Sequence, residues 1–310
     1  MIYPSSIQKG DNITLISPSN GLYDSKLLEL DKSIEVLQRY GYNIVEDNYT
    51  RNSTMGCSSD RMSRAKELNK SFNDNSKVLI AVSGGDFINQ IMDKLQFRRF
   101  LNNIKWIQGH SDITVLLYYI TTNYDVATIY NFNVRGYLNN NKRVVEYGMN
   151  AIQKRLFLQK SFSSWKVVNN FKKVNGRIIG GCLESLKDIF GTKYDSFKKF
   201  EKKYKKDGII WYFDISTFTN EDISRTLWQL NTMGYFKYCK AIMFSKIENE
   251  VNYTGINLEK AITDEIGHLN IPIIIGCDIG HISSVITIIN GSLIEITQDN
   301  NEFIITTRYD

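Results

Sequence analysis

Residues 105–117 read Lys-Trp-Ile-Gln-Gly-His-Ser-Asp-Ile-Thr-Val-Leu-Leu, and they give the first indication of the fold. A short apolar run ends at Gly109, and apolar residues then recur on one face of a helix. A sharp strand-to-helix turn of this kind lifts Ser111 out of the sheet toward a helix N-terminus, where backbone N–H groups favour negative charge. The stretch therefore predicts either a nucleophile elbow at Ser111 or, more simply, a serine that caps the helix.

The composition is typical of a globular protein without a nucleic-acid partner. Of 310 residues, 42% are hydrophobic and 23% are charged, which allows one large or two medium domains with a sizeable core. The formal net charge of +5 is small, and many of the positive residues lie at 193–206. Apolar residues recur there three and four positions apart, which predicts a surface helix with a basic outer face and not a nucleic-acid surface.

Several absences exclude other classes of protein. No run of about 18 apolar residues occurs, so no membrane span is expected. Residues 1–10 lack the basic start and apolar core of a secretory signal, and the four cysteines show no Cys-x-x-Cys spacing. We therefore expect a cytoplasmic protein with reduced thiols, no bound metal and no membrane partner. Neither Gly-x-Gly-x-x-Gly nor Gly-x-x-x-x-Gly-Lys occurs, so no nucleotide cofactor is expected.

Strands and helices alternate in the first half of the chain. Short apolar strands are predicted at 13–17 and 78–82, and each is followed by a turn and a helical pattern. This alternation predicts an α/β fold whose N-terminal domain, residues 1–160, holds a doubly wound, mostly parallel sheet. The polar, irregular residues 161–175 are predicted to link it to a second domain.

Polar segments follow three of the predicted strands in this half. They are Ser19, Gly84-Gly85-Asp86 and Ser111. In open parallel sheets, binding sites form beyond the carboxyl ends of the strands, and these ends meet at one edge of the sheet. We therefore expect the three segments to lie together, which favours a functional role for Ser111 over a simple cap.

The second half, residues 176–310, is predicted to form another α/β domain. Apolar strands are predicted at 177–179, 209–213, 241–244 and 272–275. The tail is predicted to be a β meander with strands at 285–289, 292–296 and 303–307 and a hairpin turn at Asn290-Gly291. We expect these strands to form a barrel-like sheet, with the active site at the interface between the two domains.

Three polar residues stand at the ends of apolar runs, in the order Ser111, Asp214 and His281. A serine is a poor nucleophile at neutral pH. It needs a base within hydrogen-bonding reach, and the base needs a carboxylate that fixes its tautomer. His281 follows a buried strand, in Asp278-Ile279-Gly280-His281. On its own, such a histidine more often has a capping or structural role.

The chain resembles the LD-carboxypeptidase family of serine peptidases, which includes the muropeptide LD-carboxypeptidases and the microcin C self-immunity peptidases. The resemblance covers nearly the whole chain, and its most specific segments are residues 109–114 and 278–281. Further segments in the correct order are Lys9-Gly10-Asp11, Ser17-Pro18-Ser19, Ser83-Gly84-Gly85-Asp86, Gly180-Gly181-Cys182-Leu183 and Gly191-Thr192. Cys182 stands where asparagine is usual in the family.

The resemblance implies Ser111 as the nucleophile, His281 as the general base and a carboxylate that orients the base. The family normally has glutamate in this last position, eleven residues before an arginine. Here the residue eleven before Arg225 is Asp214, and we assign the role to it. Aspartate is one methylene shorter, which matters because about 1 Å of misplacement can cost on the order of a hundredfold in rate.

Two further points concern this carboxylate and the histidine. Glu184 and Glu221 are alternative partners for the base, although their register in the sequence argues against both. The segment His281-Ile282-Ser283-Ser284 also lacks a proline that the family often carries after the histidine. We expect this second departure to alter the substrate pocket and not the catalytic groups.

The resemblance also implies groups that stabilise the reaction intermediate and the substrate. Backbone N–H groups of Gly85 or Asp86 and of Asp112 are expected to form the oxyanion hole. The family releases a terminal D-amino acid, so a cation is expected to hold its free carboxylate. The candidate substrate-binding residues are Arg225, Arg135 and Ser19.

The function implied by the resemblance is hydrolysis of an LD-peptide bond by a serine carboxypeptidase that needs no metal and no cofactor. The expected substrate is a small peptide, a muropeptide tetrapeptide of cell-wall recycling that loses its terminal D-alanine, and the expected assembly is a homodimer. Asp86 slightly favours an alternative, the detoxification of a peptidyl-nucleotide antibiotic of the microcin C type. A third hypothesis is a non-catalytic muropeptide-binding protein, whose only support is Asp214 in place of glutamate.

Overall fold

The computed structural model describes residues 1–154, 157–299 and 302–309, which form two β-sheets with helices. In chain order the strands are β1 (Asn12–Ile16), β2 (Asn43–Glu46), β3 (Val78–Ala81), β4 (Trp106–Gly109), β5 (Thr128–Tyr130), β6 (Phe157–Lys160), β7 (Lys166–Val168), β8 (Lys173–Cys182), β9 (Ile209–Asp214), β10 (Cys239–Ser245), β11 (Ile273–Cys277), β12 (Ile288–Asn290), β13 (Leu293–Asp299) and β14 (Glu302–Arg308). The α-helices are α1 (Ser25–Arg39), α2 (Arg61–Asn73), α3 (Phe97–Leu101), α4 (Thr114–Tyr124), α5 (Lys142–Gln153), α6 (Leu183–Ile189), α7 (Phe197–Tyr204), α8 (Asn220–Thr232) and α9 (Leu258–Ile266).

The first sheet confirms the predicted doubly wound arrangement. Its strand order is β12-β5-β4-β3-β1-β2, and the five strands from the first half of the chain run parallel. From β1 the chain adds β2 on one side and then β3, β4 and β5 on the other. The direction in which strands are added therefore changes between β1 and β3. In sheets of this kind, ligands bind at this point, beyond the carboxyl ends of the strands.

Strand β12 enters the first sheet from the far end of the chain. It pairs antiparallel with β5, and Ile288 lies opposite Tyr130. The predicted meander is therefore wrong here: Asn290-Gly291 is not a hairpin turn, because β13 pairs with β8 and β14 in the other sheet. An apolar strand followed by Asn-Gly is compatible both with a hairpin and with a chain that crosses to another sheet. The local sequence cannot distinguish the two, because the outcome depends on which distant strands each segment pairs with.

The second sheet is open and mixed. Its order is β6-β14-β13-β8-β9-β10-β11-β7. Strands β8 to β11 run parallel at its centre, whereas β13, β14, β6 and β7 pair antiparallel on the two sides. The predicted α/β class is confirmed, but the sheet is not a closed barrel. Within the described residues, β6 and β7 form two edges that do not pair with each other.

The two sheets do not divide the chain at a single point. The sequence predicts the end of the first domain and the linker where β6 and β7 lie, and both strands pair into the second sheet. Strand β12, which follows most of the second sheet in the chain, pairs into the first. The chain therefore passes between the sheets more than once, which joins the two halves of the molecule.

Helix α4 lies between the two sheets. It contacts β4 and β5 of the first sheet and β8 of the second, and eight of its 11 residues are buried. Gly181 of β8 has a φ angle of +149°, and a Cβ atom there would lie 2.3 Å from Thr114 Cγ2. The neighbouring Cys182 N–H donates to Thr114 Oγ1 at 3.0 Å. These contacts fix the first turn of α4, just after Ser111, against the second sheet.

The basic segment at 193–206 contains the predicted surface helix, α7. Phe197, Phe200 and Tyr204 are buried, while the lysines between them are exposed. Phe197 packs on Trp211 of β9, with ring centroids 4.6 Å apart.

Among the described helices, none combines the length and the apolar character that a membrane-spanning helix needs.

The side chain of Asn290 joins the two sheets. Its Oδ1 accepts the Tyr212 hydroxyl at 2.9 Å, its Nδ2 donates to Thr128 Oγ1 at 3.4 Å, and it has no exposed surface. The variant Asn290→Ala leaves the buried Tyr212 hydroxyl without an acceptor, so we expect the free energy of unfolding to fall by about 1–3 kcal/mol. Urea denaturation measures this change. The control Asn89→Ala, at an exposed position, should change the same quantity by less than about 0.5 kcal/mol.

Candidate active site

Ser111 lies at the sharp turn between β4 and α4. Strand β4 ends at Gly109, and Ser111 opens a short 3-10 turn, residues 111–113, that leads into the helix. The φ angle of Ser111 is +62°, in the left-handed region that residues other than glycine rarely adopt. The surrounding structure must override the local cost of such a conformation, as it often does at functional sites. The turn is the one that the sequence predicts.

The Gly-Gly loop after β3 packs directly against this turn. A Cβ atom at Gly84 would lie 2.7 Å from Ser111 Cβ and 2.9 Å from its Oγ, so any side chain there would displace the serine. Gly85 has a φ angle of +144°, and a Cβ atom there would lie 2.3 Å from Ser19 Oγ. The segments that follow β1, β3 and β4 therefore lie together, as predicted.

Asp112 connects the segments that follow β1 and β3 to the turn. Its buried Oδ2 accepts hydrogen bonds from the Ser19 hydroxyl and, at 2.9 Å, from the Ile88 N–H. Burial raises the pKa of Asp112, although these donors oppose the rise. Ser19 is itself buried, and its Oγ also accepts the Phe87 N–H at 3.3 Å. The Ser19 hydroxyl is thus engaged within the protein, and its role in substrate binding stays a prediction.

The backbone N–H groups expected in the oxyanion hole have no acceptor in the described part of the chain. Within the described residues, the N–H groups of Gly85, Asp86 and Asp112 make no hydrogen bond. The Asp112 nitrogen lies 3.6 Å from the point where a Cβ atom of Gly84 would stand, and Ser111 Oγ lies 2.9 Å from the same point. The Asp112 N–H and the serine hydroxyl therefore both lie next to Gly84. Their part in catalysis stays a prediction.

Asp214 and His281 form a direct pair beyond β9 and β11. His281 Nδ1 lies 2.7 Å from Asp214 Oδ2, and the His281 backbone N–H donates to Oδ1 at 3.2 Å. Gly280 has a φ angle of +77°, and a Cβ atom there would lie about 2 Å from the carboxylate, with a nearest approach of 1.9 Å. Because glycine has no side chain, the backbone at Gly280 can lie directly against the Asp214 carboxylate. The next residue, His281, then contacts this carboxylate through both its backbone N–H and its ring.

The electrostatics of this pair suit a general base. Burial opposes ionisation of Asp214, but the hydrogen bond and charge of His281, together with Tyr130, outweigh it and hold the pKa of Asp214 below its usual value. Burial also opposes protonation of His281, but the hydrogen bond to Asp214 and its charge raise the pKa of His281 above its usual value. With Nδ1 bound to the carboxylate, Nε2 is the ring nitrogen left to take a proton.

Tyr130 connects this pair to the turn at Ser111, and sequence reasoning misses it. Its hydroxyl donates to Asp214 Oδ2 at 2.5 Å and accepts the Ser111 N–H at 3.4 Å. Tyr130 belongs to β5 of the first sheet, whereas Asp214 ends β9 of the second. In the sequence Tyr130 closes a short apolar strand, which is typical of a core residue, so no local signal marks it as part of a site.

The structure brings Ser111, Asp214 and His281 into one region, but of these three only Asp214 and His281 are hydrogen-bonded to each other. Among the described residues, no hydrogen bond joins Ser111 Oγ to His281. The ring of His110, the residue before Ser111, lies 5.0 Å from the ring of His281 between centroids. Catalytic hydrogen bonds are often long until a substrate binds. Burial and, next, the nearby His281 lower the pKa of His110 to about 4, so its ring is neutral at pH 7.

The alternative carboxylates are engaged elsewhere. Glu184 Oε1 accepts the backbone N–H groups of residues 216–218. Glu221 Oε1 accepts those of residues 253 and 254, together with the Thr254 hydroxyl. The carboxylate in contact with His281 is therefore the one that the register of the sequence selects.

Both candidate arginines pair with acidic side chains; Arg225 is exposed and Arg135 is partly buried. Arg225 binds Asp222 Oδ1 at 2.5 Å and donates to the Tyr253 hydroxyl at 2.8 Å. Arg135 binds Glu29 Oε2 at 2.6 Å. Surface pairs of this kind are worth little energy, so either arginine is able to exchange its partner for another carboxylate. Their role in substrate binding stays a prediction.

The cysteines and acidic residues show no metal site in the part of the chain that the structure describes. No group of three His, Cys, Asp or Glu side chains is placed there to hold an ion. All four cysteines are free thiols. Cys182, which stands where the family usually has asparagine, is buried and directs its Sγ to Glu184 Oε2 at 3.1 Å.

Comparisons with known proteins show what the whole chain is similar to. Models of the LD-carboxypeptidase N-terminal and C-terminal domains match residues 13–131 and 175–296. The microcin C7 self-immunity protein MccF of Escherichia coli is 24% identical over 332 residues, which cover 97% of this chain and 94% of MccF. A structure of MccF in complex with aspartyl sulfamoyl adenosine has a TM-score of 0.86 at 20% identity, covering 100% of this chain and 99% of that one. The muramoyltetrapeptide carboxypeptidase of Oxalobacter formigenes has a TM-score of 0.80 at 19% identity, covering 96% and 98%.

The two matching domain models describe a class of serine peptidases. Because the two domain models together match more than half of the chain, the chain belongs to the LD-carboxypeptidase family. The resemblance carried by the sequence motifs is confirmed. The solved structures, at their low identity, show the shared fold.

The variant Asp214→Asn removes the negative charge beside His281 and leaves the burial unchanged. We expect the pKa of His281 to fall from its raised value to below the ordinary histidine value of about 6.5, because burial alone disfavours the imidazolium. NMR titration of the three histidines measures this pKa directly.

In the wild type, kcat/KM should decrease as the pH falls through the raised pKa of His281, because the proposed base must be neutral to accept a proton.

The matched control for this titration is Asp264→Asn. Asp264 is an exposed aspartate that pairs with Lys260 one helical turn away, at 2.8 Å. Its replacement should leave the His281 titration unchanged. A His281 pKa that stays at the wild-type value in Asp214→Asn would contradict the pairing of these two residues.

Proposed function

We propose that this chain is a serine carboxypeptidase that hydrolyses an LD-peptide bond with Ser111 as nucleophile, His281 as general base and Asp214 as the residue that orients the base. Membership of the LD-carboxypeptidase family supports the reaction class. The observation that carries the assignment of residues is the contact of His281 with the buried Asp214 carboxylate, which Tyr130 connects to the turn at Ser111.

The proposed reaction has two steps. Ser111 Oγ attacks the carbonyl carbon of the L-residue and gives its proton to His281 Nε2. The intermediate then collapses, the C–N bond breaks, and the departing amine of the D-amino acid takes the proton from His281. A water molecule, deprotonated by the same imidazole, hydrolyses the acyl-enzyme and restores the serine hydroxyl. No redox partner or metal is needed for this sequence.

The free backbone N–H groups beside the turn are proposed to stabilise the negative charge that develops on the carbonyl oxygen. These groups belong to Asp112 and to Gly85 or Asp86, and none of the three has an acceptor within the described residues. Donors of this kind are effective because they are already oriented before the charge appears. Loss of one such donor in an oxyanion hole typically costs about 10²- to 10³-fold in kcat.

For the substrate, we propose a muropeptide tetrapeptide of cell-wall recycling that loses its terminal D-alanine. The fold shared with a muramoyltetrapeptide carboxypeptidase supports this class of substrate. The free carboxylate of the D-residue would be held by Arg225 or Arg135, with Ser19 shaping the site from behind Asp112. We place the protein in the cytoplasm as a homodimer, without a membrane or nucleic-acid partner.

A second candidate is a peptidase that inactivates peptidyl-nucleotide antibiotics. The similarity to MccF over nearly the whole chain favours it, together with the MccF complex with aspartyl sulfamoyl adenosine. The chemistry is the same acyl transfer at Ser111, but the leaving group carries a nucleoside instead of a D-amino acid. The two candidates therefore differ in the pocket and not in the catalytic residues.

The deciding experiment is mass spectrometry of a muropeptide tetrapeptide after incubation with the wild type and with Ser111→Ala. We expect the wild type to remove one D-alanine and Ser111→Ala to lose at least about 10³-fold in rate, because removal of a catalytic serine abolishes most of the acceleration. The matched control is Ser5→Ala, an exposed serine that precedes β1, which should keep wild-type activity.

The same assay separates the remaining hypotheses. Cleavage of a peptidyl-nucleotide but not of the tetrapeptide would establish the antibiotic-inactivating function. Tight binding of the tetrapeptide without cleavage by any variant would indicate the non-catalytic muropeptide-binding protein. Equal activity of Ser111→Ala and the wild type would refute the proposed nucleophile.

A further inference from the structure

We infer that Tyr130 is a positioning residue, which sets the Asp214 carboxylate for His281 and holds the Ser111 turn in place at the same time. Two contacts of one hydroxyl group carry the inference: it donates to Asp214 Oδ2 at 2.5 Å and accepts the Ser111 N–H at 3.4 Å. The effect on catalysis rests on the proposed function, whereas the effect on His281 is measurable without a substrate.

Tyr130 supplies the Asp214 carboxylate with its only donor from outside the histidine segment, among the described residues. The two other donors are the His281 ring at 2.7 Å and the His281 backbone N–H at 3.2 Å. Because both of these move with residues 280–281, they cannot by themselves fix that segment in space. The Tyr130 hydroxyl comes from a strand in the first sheet, so it ties the carboxylate to an independent part of the molecule.

The Tyr130 side chain is suited to donate at every physiological pH. Its ring is buried and lies 5.3 Å from the Tyr212 ring between centroids. Burial and then the charge of Asp214 raise the pKa of Tyr130 well above its usual value, so the hydroxyl keeps its proton. With that proton committed to Asp214, the oxygen lone pairs remain for the Ser111 N–H, and the directions of both hydrogen bonds are fixed.

The position of Tyr130 in the sheet couples it to the nucleophile turn. Tyr130 pairs with Gly109, two residues before Ser111, across the parallel strands β4 and β5. A shift of the turn relative to the second sheet would therefore also move Tyr130 away from Asp214. The hydroxyl group thus holds Ser111 and the Asp214–His281 pair at a set separation, although they come from different sheets.

Tyr130 also controls how much of the Asp214 charge acts on His281. The other titratable groups near His281 are His110, whose ring lies 5.0 Å away and is neutral at pH 7, and Glu184 on α6, whose charge favours the imidazolium. A donor on Asp214 Oδ2 withdraws negative charge from the bond to the imidazole. Without it the carboxylate interacts more strongly with the protonated ring, so the His281 pKa should rise.

The test is Tyr130→Phe, which keeps the ring and removes only the hydroxyl. NMR titration should show the His281 pKa raised by about one unit, the size expected for loss of one hydrogen bond to a charged group. If the proposed function holds, kcat should fall by about 10- to 100-fold with little change in KM. The control is Tyr118→Phe, which removes a buried hydroxyl that donates to Asp195 at 3.2 Å and should leave both quantities unchanged.

Two further variants make the test specific. In an Asp214→Asn background, Tyr130→Phe should not raise the His281 pKa, because the effect passes through the carboxylate charge. Replacing Tyr130 with 3-fluorotyrosine, a stronger donor, should lower the His281 pKa, and this variant also serves if Tyr130→Phe does not fold.

The inference is overturned if the His281 pKa is unmoved in folded Tyr130→Phe, or if it rises equally in the Asp214→Asn background. The proposed function fails separately. If no variant, including the wild type, cleaves a peptide or a peptidyl-nucleotide, the reaction is refuted, while the NMR titration still decides the role of Tyr130.

Discussion

The Asp214 carboxylate has no exposed surface, and the site depends on how its charge is satisfied. An ionised carboxylate is stable away from water only when donors surround it. Here the donors come from Tyr130 in the first sheet and from the ring and backbone N–H of His281 after β11. The charge is therefore stable only when both sheets and the histidine segment meet, and this same arrangement raises the pKa of His281.

Close backbone packing holds the groups around this charge. Gly84, Gly181 and Gly280 each lie where a Cβ atom would collide with a residue of the site or of the helix that carries it. Helix α4 lies between the sheets, so the turn at its start cannot move independently of either. Such packing matters because a displacement of about 1 Å can cost on the order of a hundredfold in rate.

The sequence predicts those parts of the molecule that short-range patterns encode. The turn at Ser111, the parallel first sheet and the apolar stripe of α7 follow from periodicity and turn residues. The partner of β12 and the open edges of the second sheet do not, because an apolar strand carries no information about which sheet it joins. Tyr130 is a similar case, since its acceptor lies 84 residues away in the sequence and only the packing of the two sheets brings them together.

In the proposed reaction, the Asp214–His281 pair activates Ser111 as a nucleophile. The most direct measurement is the reaction of the protein with a serine-directed fluorophosphonate, followed by intact-mass analysis and peptide mapping. We predict a single adduct on Ser111, formed at a rate that decreases as the pH falls through the His281 pKa, and lost in His281→Ala. An adduct on another serine, or undiminished labelling of Ser111 in His281→Ala, would contradict the claim.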